Sequence, residues 1–208
     1  METKLIGRRL GLLFAAFVMF HSHTSAAATE AAQQVKQTVD RVLAIVNDPA
    51  LKGDAKAAER RQKLKEVIGA RFDFAEMAKR SLGSQWQKRS PAEQKEFVEV
   101  FTELLEGSYL DKIESYSGEK VRFVNDRQEK DYAEVGTKIS NNKGEEFSVD
   151  YRLYNANGDW KVSDVIIENI SLVNNYRAQF NRVLARSSYA ELLETMKQKK
   201  LSAPGTKS

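Results

Sequence analysis

The apolar pattern of this chain changes period once, near Gly118, and the change dictates a fold with two kinds of layer. Before it, apolar side chains recur at helical spacing. Val35, Val39, Val42, Leu43 and Val46 make one stripe. Phe97, Val98, Phe101, Leu104, Leu105, Tyr109 and Ile113 make a second, wider and more aromatic one. After the change, apolar and polar residues alternate. Phe147, Val149, Tyr151 and Leu153 interleave with Glu146, Ser148, Asp150 and Arg152, which reads as a strand with one wet face. Ala133, Val135, Thr137 and Ile139 alternate in the same way, and Val121 and Phe123 suggest a shorter strand before them. Trp160, Val162, Val165 and Ile167 make another, whose phase slips near Ser163 as a bulge would require.

Local punctuation divides the helical half. Asp48-Pro49 ends the first helix. Asp54 to Ile68 is charge-dense, with apolar points at Leu64, Val67 and Ile68, and reads as an exposed helix. Arg71 to Leu82 carries Phe72, Phe74, Met77 and Leu82 and stops at Gly83. Ser90-Pro91-Ala92-Glu93 is a capping box with proline in the first turn, opening the long aromatic helix. Asn141-Asn142-Lys143-Gly144 and Asn155-Ala156-Asn157-Gly158 are turn clusters between strands. Two helices close the chain: Ser171 to Arg186, then Ser188 to Lys200 behind a second capping box, Ser188 to Glu191. The expectation is an α+β domain: a curved antiparallel sheet of about four strands, a helical layer on one face, and an apolar pocket between them.

The N-terminus limits the chemistry. Lys4, Arg8 and Arg9 precede the apolar run Leu10 to Phe20, and Ser25-Ala26-Ala27-Ala28 follows. That order is a secretory signal peptide with Thr29 as the first mature residue, and the run is short for a bilayer span. The expected organisation is residues 1–28 as signal peptide, 29–200 as one domain and 201–208 as a flexible tail. His21 and His23 are the only histidines, and there is no cysteine. The mature chain then has no imidazole, no thiol and no soft metal ligand, which excludes a Ser-His-Asp triad. Exported without disulfides, it relies on packing for stability. Lys and Arg fall from 33 to 30 and Asp and Glu from 29 to 28 on removing the leader, leaving a net charge of +2. So weak a field gives no argument for nucleic acid.

Candidate sites follow from what remains. The aromatic surplus beyond the needs of a core suits the wall of a pocket for an extended apolar ligand. Asp150 and Asp164 lie on strands and could serve as a base in a cone-shaped pocket, although Asp150 falls on the wet phase and nothing nearby pairs with it. Asn155, Asn157 and Asp159 resemble half a calcium loop but lack its bidentate glutamate, so a hairpin turn is the better reading. Asn169-Ile170-Ser171 fits a glycosylation sequon, a match that would be fortuitous in a bacterial host. Lys197, Lys199 and Lys200 form a solvated basic end. Arg177 and Arg182 on the closing helix could meet an anionic headgroup or an acidic partner.

Several strings coincide with one known family. They are Phe72-Asp73-Phe74 with Met77, Leu82-Gly83 and Trp86; Glu93-Gln94 with Phe97, Phe101, Leu104-Leu105 and Tyr109; Val149-Asp150-Tyr151-Arg152-Leu153; and Trp160-Lys161-Val162 with Asp164-Val165, Ser171-Leu172-Val173, Asn175-Tyr176-Arg177 and Gln179-Phe180. In this ordered combination the chain resembles the MlaC, or toluene-tolerance, family of periplasmic phospholipid-binding proteins over roughly Val35 to Lys197. It departs from the family at Glu168-Asn169-Ile170, where a glycine often precedes the Ser-Leu-Val string, and in the variable linker Asp48 to Lys56.

The resemblance implies an NTF2-like fold around a lipid cavity, a periplasmic location and no catalytic residue, metal or cofactor. It implies a monomer that shuttles diacyl phospholipid between an outer-membrane lipoprotein–porin complex and an inner-membrane ABC transporter carrying an MCE-domain ring. The activity would maintain outer-membrane lipid asymmetry. With the apolar patterning, it gives the expected wall: Phe74, Met77, Trp86, Phe97, Phe101, Leu104, Leu105 and Tyr109 from the first helices; Val135, Phe147, Val149, Tyr151, Val165 and Ile167 from the sheet; and Leu172, Val173, Tyr176 and Phe180 from the closing helix. Two other readings stay open: an enzyme on the same cone using Asp150 or Asp164, and a chaperone-like binder of apolar protein segments.

Overall fold

A computed structural model describes residues 28–116, 118–141, 144–198 and 201–204. The signal peptide expected over residues 1–28 therefore lies, but for Ala28, outside the described residues. Thr29 caps helix α1 (Glu30–Asn47), its side chain accepting from the Ala32 amide. Two short 3₁₀ turns lead to α2 (Ala57–Arg71), so the helix expected from Asp54 begins later and runs to Arg71. Phe72 is extended, and α3 (Phe74–Leu82) starts behind the Asp73 cap rather than at Arg71. The Ser90–Glu93 capping box is complete and opens α4 (Pro91–Glu114). At the second predicted box only half forms: the Ser188 hydroxyl accepts from the Glu191 amide at the start of α6 (Tyr189–Lys197).

The sheet is a meander, β1 (Lys120–Glu129), β2 (Tyr132–Ser140), β3 (Glu146–Ala156), β4 (Asp159–Ile167) and β5 (Ile170–Ser171), every neighbouring pair antiparallel. It thus has five strands rather than four, the fifth only two residues long. The bulge expected at Ser163 is present: Arg152 pairs with Asp164 and Leu153 with Val162, which leaves Ser163 unpaired. Asn157 and Gly158 both have positive φ, which makes the β3–β4 connection a two-residue turn closed by the Asn155 side chain. Glu168 and Asn169 turn β4 into β5 with φ of 48° and 65°. This is the place where the resemblance leads one to expect glycine, and left-handed backbone is the physical reason for that preference.

One sheet face is wet and carries cross-strand charges. Arg152 bridges Glu134 on β2 and Asp164 on β4, and Glu146 meets both Lys138 and Arg122. The other face packs against α1 and the first turn of α5 (Leu172–Leu184), burying Val135, Val149, Leu153, Trp160, Val162 and Val165 with Ala31, Ala32, Val35 and Leu172. A second core lies among the helices alone. It joins Met77, Leu82, Phe97, Phe101, Leu104, Val173, Tyr176, Phe180, Leu192 and Met196 from α3, α4, α5 and α6. A third, small core of Val46, Leu64 and Leu110 pins α1 and α2 to the end of α4. Residues 201–204, expected to be flexible, instead pack back onto the body: Leu201 lies against the helical core and Pro204 is buried.

Asp164 has a structural task here. Its carboxylate accepts from the Ser171 hydroxyl at 2.6 Å and the Val173 amide at 3.1 Å, so it holds the N-terminus of α5 against β4. At 5% exposure it has little room for a reacting group. Asp164→Ala is expected to lower stability by about 1–3 kcal/mol through the lost cap and the orphaned amide. Urea denaturation checks this, and a loss below a few tenths would show that the cap contributes nothing.

Candidate functional site

The helical core and the sheet core meet along a seam. Phe72 and Tyr109 are packed against both. Phe72 reaches this position because the chain is extended between α2 and α3, where it bridges to Val162 and the Asp73 amide donates to the Val162 carbonyl at 2.9 Å. Its ring stacks on Phe74 at 5.9 Å and meets Tyr151 edge-on at 6.5 Å, so three aromatics link the two layers. The start of α5 straddles the same seam: Leu172 enters the sheet core and its neighbour Val173 the helical core.

The sheet side of the seam opens toward solvent at one end. Ile139 pairs with Phe147, and Val149 with both Thr137 and Ile167 in adjacent strands. Val149 is buried and Ile139 and Ile167 are half-buried, while Phe147 is 41% exposed. The inner face of the sheet therefore grades from a packed floor to an exposed apolar rim. That gradient suits a ligand with a long apolar part and one end in water.

The structure divides the expected wall residues. Tyr109, Tyr151 and Leu172 come together at the seam. Val135, Val149, Val165 and Ile167 belong to the sheet face leading to it. Phe97, Phe101, Leu104, Leu105, Met77, Val173, Tyr176 and Phe180 do not face the sheet; they interlock among α3–α6, with Phe97 and Phe180 at 5.6 Å and Phe101 and Tyr176 at 5.6 Å, both edge-on. The reason is that α6 and α5 cover α4 on the side its aromatic stripe presents. Phe74 and Trp86 are half-buried at the margin of that helical core. Phe147, expected in the wall, stands at the exposed rim instead.

Phe72 is absent from the expected wall because helical spacing assigns it to α3, yet the structure places it at the seam. The Asp73 cap beside it was the available signal, since a residue before an N-cap is extended. The two arginines also part. Arg177 is half-buried and donates through Nε to the Arg80 carbonyl at 2.8 Å, closing the end of α3, whereas Arg182 is exposed.

Burial governs the electrostatics of the seam. It pushes the Tyr151 hydroxyl up to about 12, partly offset by Thr137. It also pushes Tyr109 well above the ordinary tyrosine value, with Tyr176 adding to the effect. On the wet face, Asp150 is raised by partial burial and by Glu134, against Arg152. Because the folded Tyr151 holds its proton more tightly than the unfolded chain does, its contribution is complete below pH 10. It is lost as pH rises toward 12. The loss is on the order of 2–3 kcal/mol. Tyr151→Phe should flatten the fall in stability between pH 10 and 12 seen by circular dichroism; an unchanged slope would remove Tyr151 as its source.

Two surface depressions lie away from the seam and are largely polar. One of about 590 Å3 is formed by Glu30, Gln33, Gln34, Gln37, Arg71, Asn157, Gly158 and Asp159. The other, about 440 Å3, is formed by Arg152, Ile166, Asn169, Ile170, Ser171, Asn174 and Asn175. In the first, Arg71 is consumed by Gln34, Asp159 and the Trp160 carbonyl, so its role is to join α1, α2 and the β3–β4 turn. Among the described residues no group of three or more His, Cys, Asp or Glu side chains is placed to hold a metal ion.

A helical layer laid over an antiparallel meander, joined along an aromatic seam, defines an α+β protein. The chain belongs to the MlaC family: the family model described as MlaC protein matches residues 36–198. A curated relative, toluene tolerance protein ttg2D of Pseudomonas putida, is 28% identical over 149 residues, which cover 66% of this chain and 69% of that protein. The fold is similar to the solved structure of a phospholipid-binding protein from Ralstonia solanacearum in complex with a phospholipid. The TM-score is 0.73 at 27% identity, covering 82% of this chain and 97% of the other.

Proposed function

We propose that this chain is a periplasmic carrier of diacyl phospholipid, not an enzyme. It would move lipid as a monomer between an outer-membrane lipoprotein–porin complex and an inner-membrane MCE-domain ABC transporter, and so help maintain outer-membrane lipid asymmetry. The observation that carries this reading is the apolar inner face of the sheet, graded from buried Val149 to exposed Phe147 and bordered by a seam of aromatics. Membership of the MlaC family and the likeness to a protein solved with a phospholipid support it.

The physical need for such a carrier is plain. Two acyl tails with roughly 30 methylenes, at about 0.8 kcal/mol each, cost on the order of 20 kcal/mol to expose, an upper bound because free tails collapse on each other. The tails must be sheathed, and the charged headgroup stays in water because an unpaired buried phosphate is costly. Headgroup selectivity is therefore weak in this account. The seam is closed by side-chain packing, so tails enter by parting the layers, and α5 is the wall best placed to move because its first turn belongs to both cores. The exposed Arg182 on α5 is left for an acidic partner surface.

The test is transfer of a fluorescent phospholipid between two populations of vesicles. The purified mature chain should accelerate transfer in proportion to its concentration, and Asp150→Asn should leave the rate unchanged. No acceleration would overturn the carrier reading; loss of the cellular detergent resistance in a folded, lipid-loaded Asp150→Asn protein would favour an enzyme.

A further inference from the structure

Residues Leu201–Pro204 turn back from α6 and dock over the junction of α4 and α5. Leu201 packs on the helical core. Gln179, 7% exposed, clamps Ser202 twice: the Ser202 amide donates to Oε1 at 2.9 Å and its carbonyl accepts from Nε2 at 2.8 Å. Two residues on, the Pro204 carbonyl accepts from the Tyr109 hydroxyl at 2.9 Å, and Pro204 is itself buried. Tyr109 is one of the two side chains that touch both cores. A buried amide and a phenol at the seam thus spend their bonds on the main chain of a terminal segment without secondary structure. Terminal residues are ordered only where something ties them down.

We propose that Leu201–Pro204 is a strap that occupies the seam in place of the ligand and is displaced when a diacyl lipid enters. The inference rests on the carrier reading above. The chemistry matches at two points. Leu201 offers an alkyl group to the helical core beside the seam, and Pro204 offers a carbonyl acceptor to Tyr109. A glycerol ester also presents a carbonyl acceptor and an alkyl chain. The Tyr109 hydroxyl is the donor that strap and ester share. The strap keeps that hydroxyl satisfied in the lipid-free protein, where an unpaired phenol at an apolar wall would be costly. On releasing Ser202, Gln179 keeps one of its bonds, because Nε2 also donates to Asn175 Oδ1 at 2.6 Å. A strap docked about 90% of the time lowers apparent lipid affinity about tenfold.

The chain has no cysteine, so Ser202→Cys supplies a single thiol for a spin label. Ser202 binds Gln179 through its backbone alone and its residue is exposed, so the label leaves the clamp intact. In delipidated protein the label should be immobilised, and loading from vesicles of phosphatidylethanolamine and phosphatidylglycerol should mobilise it. A chain ending at Lys200 should take up lipid with about tenfold higher apparent affinity, and Tyr109→Phe should shift the label of the lipid-free protein toward the mobile state. A label equally immobilised with and without lipid overturns the strap while leaving the carrier reading in place. Uptake by neither the full-length nor the shortened chain overturns the carrier reading, and the strap with it.

Discussion

Phe101→Ala is expected to lower stability by about 3–5 kcal/mol, the range for truncating a fully buried aromatic. In a domain of this size that is a fall of roughly 10 °C in Tm. The size follows from where the ring lies. Phe101 is fully buried and contacts three aromatics, Phe97 at 6.2 Å, Phe180 at 6.2 Å and Tyr176 at 5.6 Å, drawn from two helices. Phe97 and Phe180 cannot move into the space without disturbing their edge-on contact, nor Tyr176 without disturbing its tilted contact with Phe180. Guanidinium denaturation decides the matter. A loss under 1 kcal/mol would mean that the site collapses freely, as a yielding pocket wall would, and would favour Phe101 as part of the expected ligand wall.

Val149→Asp is expected to separate binding from folding. Val149 lies on the sheet core, in the row paired to Thr137 and Ile167, one step inward from exposed Phe147. A carboxylate there can lean toward the open rim and stay hydrated, so the fold should survive with a modest drop in Tm. It would also put a charge in the path of an acyl chain, which has nothing to pair with it. Lipid uptake should fall by more than tenfold. Leu104→Asp is the contrast: Leu104 is 2% exposed in the helix-only core, and the variant should fail to fold. Uptake by Val149→Asp at the parental level would show that lipid does not use the sheet face.

Much of this architecture was legible because local chemistry and global fold agree. The Ser90–Glu93 box, the Asn155–Gly158 turn and the phase slip at Ser163 each have a local cause and each appears where the pattern puts it. β1 was only half visible. Beyond Phe123 it carries Val124, Asn125, Asp126, Arg127, Gln128 and Glu129, which alternation would leave in a loop. The strand persists because β2 pairs with it on one edge, and because Asp126 and Gln128 accept from the backbone amides of Thr29 and Ala31 at the start of α1. Such long-range polar pairing leaves no periodic trace.

The site was harder to read for a similar reason. Helical spacing shows that Phe97 and Phe101 share an inward stripe, but not whether sheet or helix covers it. α6 takes that place, and its docking depends on contacts about a hundred residues apart, such as the Tyr189 hydroxyl on the Glu93 carbonyl. Arg177 likewise looked free on its helix, and only the packing of α5 on α3 commits it to the Arg80 carbonyl. What periodicity did mark was the sheet face, because strands alternate by two and a buried face cannot hide.

The central claim is that this protein carries phospholipid, and native mass spectrometry of the mature chain purified gently from the periplasm of its host tests it most directly. The account predicts a population heavier than the polypeptide by the mass of one diacyl phospholipid, with organic extraction of the same sample yielding those lipids in mixed headgroup classes. Polypeptide mass alone, with no phospholipid in the extract, would contradict it.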